Sequence, residues 1–161
     1  MKKSWFWVFL LTAGIGTALH FLYDLLPIAP VAIFASVNES VWEHIKLLYW
    51  PMLLAGVFLA RKSADKRKTW SGVLGAVLAM PVWINGIYYL LKCGFGVEGL
   101  WLDLVLYYLT LLAGFGFVKK IEKRELPKWA FGALLACVAV LGLLIVYFTT
   151  FPPNLPIFAA P

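Results

Sequence analysis

Long apolar runs separated by short polar links organise this chain. Three runs contain no Asp, Glu, Lys or Arg, and they cover residues 4–23, 69–91 and 129–151. Two more runs, at 47–60 and 104–118, contain 14 and 15 uncharged residues. A helix needs about 20 apolar residues to cross a bilayer, so the two short runs must extend through charged residues at one end. The pattern predicts five transmembrane helices, at about 4–26, 38–61, 69–92, 100–118 and 129–151.

The predicted fold class is therefore an all-α integral membrane protein, a five-helix bundle forming one domain over residues 1–161. The outer loop at 27–37 has two prolines and no charge. We expect it to lie against the bundle, where protein groups can satisfy its backbone. The proline-rich outer tail at 152–161 should take an extended, polyproline-like course, with its apolar side chains packed onto the mouth of the bundle.

Composition agrees with a membrane protein. Of the 161 residues, 63% are hydrophobic and only 14% are charged, and the mean hydropathy is +0.86. Soluble domains are about half apolar and about one quarter charged, so a soluble globular domain and a disordered chain are excluded. The net charge of +6 could suggest nucleic acid as a partner, but its distribution along the chain indicates the bilayer instead.

The basic residues orient the predicted helices. Of the 14 lysines and arginines, 12 fall before the first helix or in the links at 61–68 and 119–128. Because cytoplasmic links carry such an excess, we expect a multi-pass protein of the cytoplasmic membrane with its N-terminus inside and its C-terminus outside. The basic inner face can attract anionic lipids.

Polar and ionisable groups gather at the outer ends of the first four predicted helices. Such groups are costly inside a membrane and need a partner or a function. Antiparallel helices bring them to a similar depth, so we expect a polar cluster at the extracytoplasmic mouth. Its predicted members are His20, Asp24, Asn38, Glu39, Glu43, His44, Lys46, Asn85, Tyr88, Asp103 and Tyr107.

Four of these residues are candidates for chemistry. Imidazole together with carboxylate suits zinc and similar divalent metals, so His20, Asp24, Glu43 and His44 are candidate metal ligands. The same four are candidate catalytic residues, as acid–base groups or a proton relay. We expect His20 and Asp24 to face Glu43 or His44. Consecutive side chains on an α-helix point about 100° apart. Glu43 and His44 can therefore reach one ion together only with the help of irregular geometry at the helix end.

Structural roles compete with this interpretation. Ser36-x-x-Glu39 and Ser40-x-x-Glu43 both have the spacing of a helix-capping box, so either glutamate can serve as a cap. Lys46 can extend outward to water or pair with Glu43 three residues earlier.

The remaining candidates also have structural alternatives. His20 can simply share a proton with Asp24. Tyr88 and Tyr107 are typical of the aromatic belt at a membrane interface, and Asp103 suits the positive N-terminal end of a helix.

Three stretches resemble an uncharacterised family of small bacterial multi-spanning membrane proteins, a domain of unknown function. They are N-E-S-V-W-E-H at 38–44, H-F-L-Y-D at 20–24 and the tail P-P-N-L-P-I-F at 152–158. The resemblance implies similarity over the whole chain and marks the polar cluster and the tail as distinctive parts. It implies no activity and no substrate.

Three functions stay open from the sequence. The first is a non-catalytic membrane protein whose outer polar pocket binds a ligand, an ion or a partner. The second is an intramembrane enzyme that uses His20 or His44 with a carboxylate or a metal. The third is a proton-coupled transporter. Five helices give no inverted repeat, so a symmetric carrier would need a homo-oligomer.

Overall fold

The computed structural model describes residues 3–97 and 99–160, and every regular element within these ranges is helical. Lys2, one of the basic residues used for orientation, and Pro161, the last residue of the tail, lie outside the described residues. The helices are α1 (Lys3–Leu25), α2 (Ala29–Ala32), α3 (Val41–Arg61), α4 (Lys66–Tyr89), α5 (Leu100–Ile121) and α6 (Lys128–Thr150). A π-helical turn at Leu90–Gly94 prolongs α4, and a 3-10 turn at Pro156–Phe158 follows α6.

Four of these helices are long and apolar enough to cross a membrane. They are α1, α4 with its π-helical turn, α5 and α6. The predicted fold class, an all-α protein with membrane-length helices, is thus confirmed. The helix α3 has 21 residues, but it carries Glu43 and Lys46 near its start and is not among these four.

The helix α3 lies at the centre of the bundle. It packs against α1, α4, α6 and the 3-10 turn of the tail, and 12 of its 21 residues are buried. By contrast, α6 buries only Val138, Gly142 and Ile145. Because α3 is surrounded by protein, its polar side chains find partners inside the bundle, whereas α6 keeps an apolar outer face.

The apolar core has members from every long helix, most of them from α3, α4 and α5. Its largest fully buried members include Ile45, Leu48, Met52, Met80, Leu111 and Phe115. Gly72 lets α4 and α5 approach closely, since a Cβ atom there would lie 2.9 Å from the carbonyl oxygen of Val118. Helices in lipid are not driven together by the hydrophobic effect, so small residues that allow close packing are common at such contacts.

The connection between α1 and α3, called here the outer connection after its predicted side, and the tail contain more helix than the sequence predicts. The loop at 27–37 includes the short helix α2. The tail was expected to be extended, but its end forms the 3-10 turn at Pro156–Phe158. The expected packing of the tail is confirmed for Phe158, whose ring lies 4.9 Å from the Trp42 ring and 5.2 Å from the Phe148 ring, whereas Leu155 is exposed.

Candidate metal centre

Two imidazoles and one carboxylate come together at the end of the bundle where α1 ends and α3 begins. His20 lies on α1, Glu39 in the connection before α3, and His44 at the start of α3. His20 Nε2 is 3.8 Å from Glu39 Oε1, and His44 Nε2 is 3.5 Å from Glu39 Oε2. The two imidazole centroids are 5.2 Å apart. One ligand atom from each residue lies within 4.8 Å of the other two, a spacing that can contract around a divalent cation.

The start of α3 fixes the His44 imidazole. Ser40 is the N-cap, and its Oγ accepts a hydrogen bond from the Glu43 backbone N–H at 3.3 Å. His44 Nδ1 lies 2.8 Å from the Ser40 carbonyl oxygen, an acceptor, so Nδ1 carries the proton in this contact. Nε2, the nitrogen nearer Glu39, is then the ring atom left to bind a cation. Metal-binding histidines are held in this way, with the second ring nitrogen donating to a carbonyl or carboxylate.

The His20 imidazole is held mainly by packing. It lies edge-on to Phe21, with ring centroids 4.8 Å apart, and it is 22% exposed. Its Nδ1 is buried and has no hydrogen-bond partner among the described residues. Because Nε2 is the nitrogen that approaches Glu39, both histidines offer the same kind of ligand atom to the cluster.

Glu43 does not join this cluster. It is 2% exposed, and its side chain lies on a different side of α3 from that of His44. Its Oε2 accepts hydrogen bonds from the Val37 backbone N–H at 3.0 Å and from Lys46 Nζ at 2.5 Å. Its Oε1 accepts one from Thr149 Oγ1 of α6 at 3.1 Å. Glu43 therefore joins the outer connection, α3 and α6 to one another.

Lys46 completes this buried network. Its side chain is fully buried, and besides Glu43 it donates to the carbonyl oxygens of Ala32 at 2.7 Å and Ala35 at 3.1 Å. An ammonium group has three donors, and here all three are used. The two carbonyls belong to the end of α2 and the residues that follow it, so Lys46 fastens the outer connection to α3. We call Glu43, Lys46 and Thr149, with the backbone groups that they bind, the buried clamp.

The other predicted site residues are dispersed around the outer end. Asp24 is exposed and lies outside the group of candidate ligands. Asn38 Oδ1 accepts a hydrogen bond from the Ser40 backbone N–H at 2.8 Å and so shapes the turn before α3. Asp103, in the first turn of α5, is exposed and lies outside the group of candidate ligands.

Of three further candidates, Tyr107 and Tyr88 form hydrogen bonds within the bundle, and Asn85 has a buried oxygen without a partner among the described residues. Tyr107 OH donates to the Ala13 carbonyl at 3.3 Å and joins α5 to α1. Tyr88 OH accepts a hydrogen bond from Lys92 Nζ at 3.2 Å. Asn85 Oδ1 is buried, without a hydrogen-bond partner in the described part of the chain.

Sequence reasoning missed Thr149 as a member of the buried clamp and gave Glu39 no place among the metal ligands. A threonine inside an apolar helix carries no signal of its own, because its hydroxyl can bond to its own helix, as Thr149 also does to the Ile145 carbonyl. Glu39 could have been found from its place in N-E-S-V-W-E-H, one residue before the helix cap, where a side chain can turn back toward the first helical residues.

The opposite end of the bundle is basic and contains two cavities. One, of about 230 Å³, has Trp5, Lys62 and Glu122 among its lining residues. The other, of about 170 Å³, lies beside Lys68 and Glu125. The hydrogen bond from Lys68 Nζ to Glu125 Oε1, 2.8 Å long, holds the pKa of Glu125 below its usual value. Neither cavity adjoins the candidate metal ligands.

Comparison with protein families matches residues 2–160 to a group described as "Family of unknown function (DUF6512)". Neither the search of curated proteins nor the search of solved structures finds a match.

Proposed function

This chain belongs to the DUF6512 family of unknown function, and we propose that it is a five-span protein of the cytoplasmic membrane that binds a divalent metal cation on its extracytoplasmic side. In this proposal α3 crosses the membrane in addition to α1, α4, α5 and α6, which makes five spans. It is long enough to cross at 1.5 Å per residue, and Glu43 and Lys46 are buried in protein rather than exposed to lipid.

The orientation rests on the distribution of basic residues. The end of the bundle that includes the α3–α4 and α5–α6 links carries most of the lysines and arginines, and positive charge favours the cytoplasmic side. A reporter enzyme that works only outside the cytoplasm should show activity when it is fused after residue 161. Activity of a cytoplasm-specific reporter at the same position would overturn the topology and place the cation site on the inner side.

The observation that carries the cation proposal is the mutual approach of the His20, Glu39 and His44 ligand atoms within 4.8 Å. Glu39 and His44 both belong to the segment that begins α3, whereas His20 comes from α1, so local sequence alone does not explain the approach of His20. Two imidazoles and one carboxylate form a donor set that suits zinc. The hydrogen bond from His44 Nδ1 to the Ser40 carbonyl is the outer support that such ligands have in known sites.

Zn²⁺ titration of the purified protein in detergent tests this proposal. His20→Ala, His44→Ala and Glu39→Gln should each weaken binding by at least about 10- to 100-fold, the loss produced even by removing outer partners of metal ligands. Asp24→Asn is the matched control, because Asp24 is an exposed carboxylate one turn after His20 and lies outside the ligand group. Undetectable Zn²⁺ binding, or equal losses in the control and the ligand variants, would overturn the proposal.

A further inference from the structure

We propose that the larger cavity at the basic end of the bundle binds the headgroup of a phospholipid that carries both a phosphate and a primary ammonium, the phosphatidylethanolamine class. We call this space the Trp5 cavity. It lies at the opposite end of the bundle from the cluster of His20, Glu39 and His44, so this inference rests on the membrane spans proposed above but not on the cation.

The Trp5 cavity lies where the start of α1 meets the link after α3 and the end of α5. Its volume is about 230 Å³, whereas one water needs roughly 10–15 Å³, so a polar group of several atoms fits. The lining residues that matter for the ligand are Ser4, Trp5, Val8, Lys62 and Glu122.

Two side chains of opposite charge line this cavity without pairing with each other. Within the described part of the chain, the Lys62 ammonium has neither an ion pair nor a hydrogen bond. Glu122 Oε1 accepts a hydrogen bond from Thr69 Oγ1 at 2.5 Å, and a carboxylate has about four acceptor sites, so Oε2 stays open to a ligand. A molecule with one anionic and one cationic group satisfies both side chains at once.

The second cavity at the same end contains charges that already neutralise one another. Lys68 Nζ lies 2.8 Å from Glu125 Oε1 and 3.8 Å from Asp65 Oδ2. These three residues therefore offer a ligand no unpaired charge, whereas the Trp5 cavity offers one charge of each sign.

Each charged group of the Trp5 cavity selects one part of the headgroup. The Lys62 ammonium and the Ser4 hydroxyl can donate to the phosphate oxygens, and Glu122 can accept from the lipid ammonium, all as charge-assisted hydrogen bonds. Phosphatidylglycerol has no ammonium and brings its phosphate beside the Glu122 carboxylate. Phosphatidylcholine has an ammonium without N–H donors. The cavity thus favours phosphatidylethanolamine over both.

Apolar groups beside the cavity indicate a membrane lipid rather than a soluble molecule. Trp5 and Val8 line it, and their neighbours Phe6 and Trp7 are 46% and 59% exposed. Lys119 Nζ lies 5.0 Å from the centroid of the Trp5 ring. Tryptophan at the end of an apolar helix is typical of the boundary between membrane and water. A headgroup in the cavity therefore leaves its acyl chains beside the apolar start of α1.

Native mass spectrometry of the full-length protein, released from micelles that contain equal amounts of the three phospholipids, tests this assignment. We expect the native protein to retain phosphatidylethanolamine above the other two. Glu122→Gln should abolish the preference over phosphatidylglycerol and keep the Thr69 contact, because glutamine still offers an oxygen. Lys62→Gln should lower the retention of both lipids by up to about 5-fold, the upper range for an exposed ion pair.

The matched controls are Glu125→Gln and Lys66→Gln, which change charged residues at the same end of the bundle that do not line the Trp5 cavity. Both should leave the lipid preference unchanged. Soluble phosphoethanolamine, at the concentration of the lipid, should not displace phosphatidylethanolamine, because it lacks acyl chains. Thermal unfolding of each variant checks that it is folded.

The outcomes separate this inference from the cation proposal. Absence of a preference for phosphatidylethanolamine in the native protein, or equal losses in Glu122→Gln and Glu125→Gln, would show attraction to surface charge in general and would overturn the inference. Equal binding of soluble phosphoethanolamine would overturn the assignment to a lipid. His20→Ala should leave lipid retention unchanged, so either site can fail while the other stands.

Discussion

Replacing Lys46 by methionine should destabilise the protein more than any change of an exposed lysine. The Lys46 ammonium is fully buried and donates to Glu43 and to the carbonyls of Ala32 and Ala35. Methionine has a similar length but no donor. The substitution leaves a buried carboxylate without its counter-charge and two carbonyls without a hydrogen bond.

The magnitude follows from the cost of an unpaired buried charge. Removing one partner of a buried ion pair costs about 3–5 kcal/mol of stability. Because the contacts with Glu43, Ala32 and Ala35 share one ammonium group, this figure already includes most of the effect of losing the two hydrogen bonds to the carbonyls. Lys46→Met should therefore lower the free energy of unfolding by about 3–5 kcal/mol. Glu43→Gln together with Lys46→Met should cost less than the sum of the two single changes, by about 0.5–3 kcal/mol.

The assay is denaturant unfolding in mild detergent micelles, with Lys66→Met as the control. Lys66 is exposed at the start of α4, and its replacement should stay within about 0.5 kcal/mol of the native protein. If Lys46→Met were as mild as Lys66→Met, or if the Glu43 and Lys46 changes were additive, the buried clamp would not be a coupled stabilising unit.

Three smaller changes test other parts of the outer end, each by the same unfolding assay. Ser40→Ala removes the N-cap of α3 and should cost about 1 kcal/mol, whereas Ser40→Thr should cost less. Phe158→Ala removes the ring of the tail that packs on Trp42 and should cost about 1–3 kcal/mol; no loss would show that the tail is not docked. Tyr49→Phe removes the bond from the Tyr49 hydroxyl to the Val138 carbonyl and should cost about 1 kcal/mol.

The helices could be predicted from sequence because apolar length is a local property. The observed bounds of α1, α4, α5 and α6 lie close to the predicted spans. The start of α3 is less predictable, since 38–40 was expected to be helical but forms the turn that ends in the N-cap. The side chains of Asn38 and Ser40 accept hydrogen bonds from nearby backbone N–H groups, which competes with extending the helix through these residues. The length of an apolar run does not reveal such local hydrogen bonds.

The roles of the two glutamates could not be predicted from spacing. Ser36-x-x-Glu39 and Ser40-x-x-Glu43 have the same capping pattern, yet only Ser40 caps α3. Glu43 lies in the buried clamp because Lys46 and Thr149 are there to meet it. Thr149 is 106 residues away, and no local pattern contains such a contact.

The buried clamp and the candidate metal ligands are two sides of the same short segment. Glu43 binds the Val37 backbone N–H, and Ser40 caps α3, so the backbone is fastened two residues before Glu39 and again one residue after it. Glu39 is thereby held between His20 and His44 although its side chain is exposed. In the cation-binding function proposed above, a ligand that is already in place would lose less conformational freedom on binding. The buried charges in α3 thus hold the backbone close to Glu39 as well as stabilising the helix.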